Sequence, residues 1–180
     1  MTLYAYSDKG CYGYDVDTAH LYITPKADII VSDVCFLDSL NLINNTIKDE
    51  INSVYSWSLN NVLFSNLKNP NSLLLASGNY NVKLVVVNQN GCSDTTSRNF
   101  IVNSLPLVTL PEFGPVCTNG PAIFINGGTP SGGLYSGTNL INRYIYPSQA
   151  GVGQNVIRYT YTDSNGCTSS DSSRSEEHTS

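Results

Sequence analysis

One pattern occurs three times in this chain and restricts the folds open to it. Leu3-Tyr-Ala-Tyr-Ser7-Asp-Lys-Gly10-Cys11 recurs as Leu84-Val-Val-Val-Asn88-Gln-Asn-Gly91-Cys92, and again as Tyr159-Thr-Tyr-Thr-Asp163-Ser-Asn-Gly166-Cys167. Each copy is a β-branched or aromatic run, then a polar turn, then Gly-Cys. Such runs suit a pleated, half-buried strand, and the polar residues with glycine suit a hairpin turn. Cys92 follows Cys11 by 81 residues and Cys167 follows Cys92 by 75. That interval matches a small domain rather than a solenoid repeat. The chain therefore reads as the end of one unit (residues 1–25), one whole unit (26–105) and most of another (106–173).

Composition agrees with an all-β chain of β-sandwiches without significant helix. Charged residues make up 13%, against about 25% in an average globular protein. Gly, Ser, Asn and Thr abound, as expected for many short strands joined by polar turns. The formal charge is −5 and no Lys/Arg cluster occurs, so nucleic acid and anionic membranes are poor partners. No apolar stretch approaches the roughly 20 residues of a membrane span.

The five cysteines follow the repeat. Cys35 lies early in the whole unit and Cys92 follows its last turn; Cys117 and Cys167 have the same layout in the next. This layout predicts bridges Cys35–Cys92 and Cys117–Cys167. Cys11 is then a late cysteine whose partner belongs to the missing front of its unit, rather than a nucleophile, since no base accompanies it. Two bridges imply an oxidising, extracellular or cell-surface compartment.

Both ends suggest a fragment. Met1 aligns with Val82, inside a strand, so the lack of a signal peptide is uninformative. Arg174-Ser-Glu-Glu-His-Thr-Ser180 resembles the translation of a sequencing-library adapter, and residues 174–180 are expected to be foreign. The final strand of the last unit is expected to be largely cut away. Residues 1–25 are expected to form an exposed hairpin of Met1–Tyr6 with 14–23.

In the whole unit the pattern predicts strands near 28–34, 39–45, 53–60, 72–77, 80–88 and 94–103. Tyr80, Val82, Leu84 and Val86 alternate toward one core, and Trp57, flanked at the same spacing by Tyr55 and Leu59, is expected in it. In the next unit strands are expected near 107–112, 122–126, 133–136, 143–147 and 155–163, with Tyr159 and Tyr161 in the core. The glycine-rich run Gly127–Gly137 lacks the Lys and following helix of a phosphate loop and reads as turns.

Residues 26–105 resemble a PKD-type domain, a relative of immunoglobulin folds. The resemblance rests on Cys35, Trp57, Asn69-Pro70, Gly78-Asn-Tyr-Asn-Val82 and Asn88-Gln-Asn-Gly-Cys-Ser-Asp-Thr95. Trp57-Ser-Leu-Asn-Asn61 replaces that family's usual Trp-Asp-Phe-Gly-Asp-Gly. Residues 106–173 are similar to immunoglobulin-like repeats of large bacterial surface proteins exported by the gliding-associated (type IX) route. That similarity rests on Gly127-Gly-Thr-Pro-Ser-Gly-Gly-Leu-Tyr-Ser-Gly137, Ala150-Gly-Val-Gly153 and Tyr159–Cys167. These resemblances imply a surface-exposed array whose partners are neighbouring repeats and surface glycans or proteins.

Little in the chain suggests chemistry. Outside the tail His20 is the only histidine, no Ser-His-Asp set occurs, and every cysteine has a structural assignment, leaving no zinc ligands. Asp8, Asp15 and Asp17 fall short of the six or more oxygens of a Ca²⁺ site and read as a solvated strand face. The expectation is a non-catalytic structural or adhesive segment without cofactor or metal, or else a spacer that positions a secreted polysaccharide- or protein-degrading enzyme.

Overall fold

The computed structural model describes residues 1–150, 153 and 155–175. Its first strands, β1 (Thr2–Tyr6) and β2 (Tyr12–Val16), form a two-stranded hairpin whose residues are all exposed. The partner strand is 12–16 rather than 14–23, because the link is the compact turn Ser7–Cys11. Ser7 N–H donates to the Cys11 carbonyl (2.8 Å) and Gly10 N–H to the Ser7 carbonyl (3.1 Å). Gly10 has φ +76°, the left-handed conformation that a glycine adopts without steric cost. The other two copies of the motif fold identically. Asn88 N–H donates to the Cys92 carbonyl at 2.9 Å and Asp163 N–H to the Cys167 carbonyl at 2.9 Å. Gly91 and Gly166 have φ of +80° and +82°. A side-chain oxygen of the opening residue (Ser7, Asn88 or Asp163) also accepts the cysteine N–H.

The next strands are β3 (Ile29–Ile30), β4 (Val34–Cys35), β5 (Ile43–Asn44), β6 (Val54–Leu59), β7 (Val62–Ser65), β8 (Gly78–Val87) and β9 (Ser93–Asn103). β3 pairs with β5, and a five-stranded sheet runs β4-β9-β8-β6-β7. Its ladders are antiparallel between β6 and β7 and between β6 and β8, and parallel between β4 and β9. Alternation along β8 buries Val82, Leu84 and Val86 completely. Tyr80 is half-buried, because it lies at the outer end of the strand where the burial pattern begins. Trp57 is fully buried, and its indole N–H donates to the Leu67 carbonyl at 2.9 Å. Strand β7 was not foreseen: Asn60 and Asn61 both take positive φ (48° and 68°), forming the two-residue turn that folds β7 back on β6. Of the strand expected at 72–77, only a bridge between Leu40 and Leu73 forms.

The last strands are β10 (Ile123–Phe124), β11 (Leu134–Gly137), β12 (Leu140–Ile141), β13 (Tyr144–Ile145), β14 (Asn155–Thr162) and β15 (Thr168–Ser175), with the single turn of helix α1 (Pro147–Ala150) before β14. They form two three-stranded sheets, β10-β13-β12 and β11-β14-β15. Val108, Leu110, Ile125, Ile145, Ile157 and Tyr159 make the core, with Tyr161 only partly buried against it. The final strand is present. β15 pairs with β14 from Thr162↔Thr168 to Asn155↔Ser175, since the Asp163–Cys167 turn returns the chain and the Ser-rich segment supplies the ladder. It includes Arg174 and Ser175 of the expected foreign tail; residues 176–180 lie outside the described residues, as do 151 and 152 of the Ala150–Gly153 motif. The strand expected at 107–112 is reduced to a bridge between Thr109 and Thr129. Apart from the single turn of α1, the regular structure of the described residues is all β-strand.

The chain divides into two compact units that are not contiguous in sequence. One comprises Met1–Val31, Asn41–Asn71 and Tyr80–Asn99; the other Ser32–Leu40, Ser72–Asn79 and Phe100–Ser180. This division cuts across the 105/106 repeat boundary, placing Cys35 in the same unit as Cys167.

These two cysteines form the disulfide, with Cα atoms 5.5 Å apart. The expected bridges Cys35–Cys92 and Cys117–Cys167 do not form: Cys92 and Cys117, like Cys11, are free. Strand geometry explains why. Cys35 pairs with Asn103 at one end of β9, whereas Cys92 precedes the other end. The 11 residues of β9 span about 35 Å, far beyond the roughly 7 Å that a bridge tolerates between Cα atoms. Residues 110–113 run parallel to β15: Leu110 N–H donates to the Asp171 carboxylate and Phe113 N–H to the Ser173 hydroxyl. The chain thus moves away from Cys167 as it approaches the exposed Cys117.

The glycine-rich run packs around one side chain. Tyr159 is 1% exposed; its hydroxyl donates to the Pro130 carbonyl (2.5 Å) and accepts the Gly133 N–H (2.7 Å). A methyl group at Gly128 would lie 2.6 Å from the Tyr159 ring, and one at Gly133 would lie 2.5 Å from both that ring and the Thr160 carbonyl. Only hydrogen fits there. Gly128→Ala and Gly133→Ala are each expected to destabilise the chain by about 1–3 kcal/mol through overpacking. Urea unfolding should show a lowered midpoint with an unchanged m-value.

Candidate functional site

The outer face of β10 and β13 carries aromatic residues where alternation normally places polar ones. Ile123, Ile125 and Ile145 turn inward, and the intervening Phe124, Tyr144 and Tyr146 turn out, 37–43% exposed. Phe124 lies directly opposite Tyr144 across the ladder, with ring centroids 5.0 Å apart; Tyr144 and Tyr146 are 6.3 Å apart. Side chains two residues apart on a strand share a face, so the three rings form a continuous ledge.

The ledge is rigidly supported. Asn142 and Arg143 both have positive φ (50° and 66°), the two-residue turn that folds β13 back on β12. Arginine is an uncommon occupant of this conformation. Its guanidinium group donates two hydrogen bonds to the Ile125 carbonyl, at 3.1 and 3.0 Å. The group also lies over the rings of Phe124 (4.8 Å) and Tyr135 (4.4 Å), where the aromatic faces attract a cation. Tyr135 in turn packs 4.5 Å from buried Tyr159 and accepts the Gly128 N–H at 2.8 Å. Phe124 is thus coupled through Arg143 and Tyr135 to the glycine cradle. A second aromatic surface, the cross-strand pairs Tyr4–Tyr14 and Tyr6–Tyr12, lies on the first hairpin, whose strand residues are all exposed.

The other polar cluster is a clasp rather than a reactive centre. Asp49 Oδ2 accepts the Tyr55 hydroxyl at 2.6 Å and lies 2.7 Å from Lys68 Nζ. Burial is the strongest single influence on Asp49 and acts against its ionisation. Hydrogen bonds, those from Lys68 and Tyr55 foremost, outweigh it and hold the carboxyl below its ordinary value. Burial, then Asp49, pushes the Tyr55 hydroxyl up, and the hydrogen bond to Asp49 pushes the Lys68 ammonium up. A lysine or tyrosine acting as nucleophile or base needs the opposite shift. Among the described residues no group of three or more His, Cys, Asp or Glu could hold a metal ion, and no helix is long and apolar enough to cross a membrane.

The cysteines predicted from the repeat are brought together only as Cys35 and Cys167; Trp57, Val82, Leu84, Val86 and Tyr159 are buried, and Tyr80 and Tyr161 half-buried. The ledge was missed, because Ile123-Phe-Ile125 and Tyr144-Ile-Tyr146 read equally well as core strands. The one available signal was that every alternate residue of both segments is aromatic.

No family model matches the chain, and no curated protein does. Three solved structures illustrate what it is similar to. The PKD1 domain of Vibrio anguillarum Epp is 25% identical, with a TM-score of 0.39, over 46% of this chain and 96% of that one. The Bacteroides ovatus mixed-linkage glucan utilization locus protein SGBP-B, solved with a mixed-linkage heptasaccharide, is 13% identical with a TM-score of 0.40. That match covers 87% of this chain and 48% of that one. A 1.5-MDa bacterial ice-binding adhesin is 11% identical with a TM-score of 0.44, over 98% of this chain and 74% of that one.

The carboxylate clasp has a pH signature. A lowered folded-state value means that its contribution is complete above the ordinary carboxylate value of 3.8 and is lost as pH falls through the lowered one. Asp49→Asn is expected to cost about 1 kcal/mol at neutral pH. Urea titrations at stepwise lower pH should show the variant converging on the parent below pH 3.8.

Proposed function

We propose that this chain is a non-catalytic adhesive segment of an extracellular surface protein, built as tandem sandwich repeats. Its contact surface is the ledge of Phe124, Tyr144 and Tyr146, and its ligand a surface or insoluble polysaccharide. The supporting observation is that three outward-facing rings share one face and that Arg143, in a positive-φ turn and bonded to the Ile125 carbonyl, clamps Phe124 among them. Exposed apolar surface with rigid backing marks a contact site more often than packing. Flat aromatic faces suit the apolar C–H faces of sugar rings, and the tyrosine hydroxyls supply hydrogen bonds at the rim. The 1–25, 26–105 and 106–173 division, the gliding-associated export route and the foreign nature of residues 174–180 belong to this reading.

Retention on insoluble glucans, chitin and arrayed host glycans tests it. Tyr144→Ala or Tyr146→Ala should weaken retention about tenfold, corresponding to about 1.4 kcal/mol, without lowering the unfolding free energy by more than that. Retention unaffected by either substitution overturns the ledge as the contact surface. No retention on any glycan favours the second reading, a spacer that positions a secreted polysaccharide- or protein-degrading enzyme; the stapled sandwich suits that role equally.

A further inference from the structure

The observed disulfide joins an early cysteine of one sequence repeat to the late cysteine of the next, and within those two repeats it leaves one cysteine of each kind unpaired, Cys117 and Cys92. The match extends to local geometry. Cys35 and Cys117 each open a tight turn, their carbonyls accepting the N–H of Asp38 (3.0 Å) and Gly120 (2.8 Å). Each also follows a segment hydrogen-bonded alongside the last strand of its own repeat: Ile101 N–H donates to Asp33 as Phe113 N–H does to Ser173. Cys92 and Cys167 both close the same Gly-Cys hairpin turn, which sits at the opposite end of that strand. A repeat therefore presents its early and late cysteines at opposite ends and cannot bridge them to each other.

We infer that this is a ladder, in which the late cysteine of every repeat bridges the early cysteine of the repeat before it. Cys35–Cys167 is one rung. Cys117 is the open half of the following rung and takes the late cysteine of a further repeat. Cys92 is the open half of the preceding rung and takes an early cysteine, a type that residues 1–34 do not contain. Each rung forms by thiol–disulfide exchange with a small-molecule disulfide. One cysteine thiolate attacks it and releases a thiol, and the second thiolate displaces the other, so two protein thiols are oxidised and one disulfide is reduced to two thiols. The ladder rests on the tandem-repeat reading but not on glycan contact.

The test appends a second copy of residues 104–175 after Ser175 of the full chain and refolds it in a glutathione redox buffer. Free thiols are then alkylated, and the bridges are mapped by peptide mass. Two bridges are expected: Cys35–Cys167, and Cys117 with the late cysteine of the appended copy. Alkylation of Cys117 should fall from complete in the unextended chain to background. Cys117 that remains alkylated while Cys35–Cys167 forms overturns the ladder and leaves the tandem reading standing. Cys35–Cys92 or Cys117–Cys167 overturns the ladder and the separation of cysteine types beneath it. On the unextended chain, Cys35→Ser should leave Cys167 alkylated; its capture by Cys117 gives the second of those outcomes without need of the appended copy.

Discussion

A covalent link between residues 132 positions apart in sequence sets the terms for the rest of the molecule. Closing a loop of that length removes about 5 kcal/mol of chain entropy from the unfolded state, comparable to the whole stability of a small domain. The strands it reinforces need this help. β4, β10, β12 and β13, in the same compact unit as the bridge, are two residues long, too short for a hydrogen-bonded ladder to hold unaided. The bridge also ties residues 32–40 to a sandwich that lies far along the chain, so the compact units and the sequence repeats do not coincide.

The recurring hairpin explains how the late cysteines are presented. Its glycine adopts the left-handed conformation and the side chain of its opening Ser, Asn or Asp caps the cysteine amide, so the cysteine is positioned within the turn itself. Three copies in one chain reach three environments. Cys167 is buried and bonded, Cys92 half-buried and free, Cys11 exposed and free. The turn is a constant, and the neighbouring surface decides what the thiol meets.

Strand identity was legible where alternation ran long. β8, β9 and β14 are each eight or more residues long, and the inward faces of β8 and β14 could be read directly from their alternating apolar and aromatic residues. The Gly-Cys turns were equally legible, since glycine there answers a backbone need. Disulfide pairing was not. Repeat layout shows which cysteines are equivalent, but pairing depends on which ends of the strands meet, and that follows from the parallel course of β4 beside β9. The last strand is hard to read in sequence because Thr168–Ser175 has almost no apolar content; its ladder to β14 is made of backbone, which serine supplies as well as valine. The ledge was hidden for the opposite reason, since an outward aromatic and an inward one look alike in sequence.

The packing of Tyr159 against Gly128 and Gly133 bears on how such a chain can change. A larger residue at either glycine collides with the ring, and a smaller one in place of tyrosine opens a cavity beneath two glycines and strands the Gly133 amide and the Pro130 carbonyl without their partner. Neither side can drift alone. In chains that share this sandwich, the three positions should therefore vary as a set: tyrosine with both glycines, or some other residue with none of them. Substitutions at the facing strands, whose contribution is backbone, carry no such linkage. The slowest-changing part of the molecule would then be a glycine loop together with the one strand tyrosine it covers.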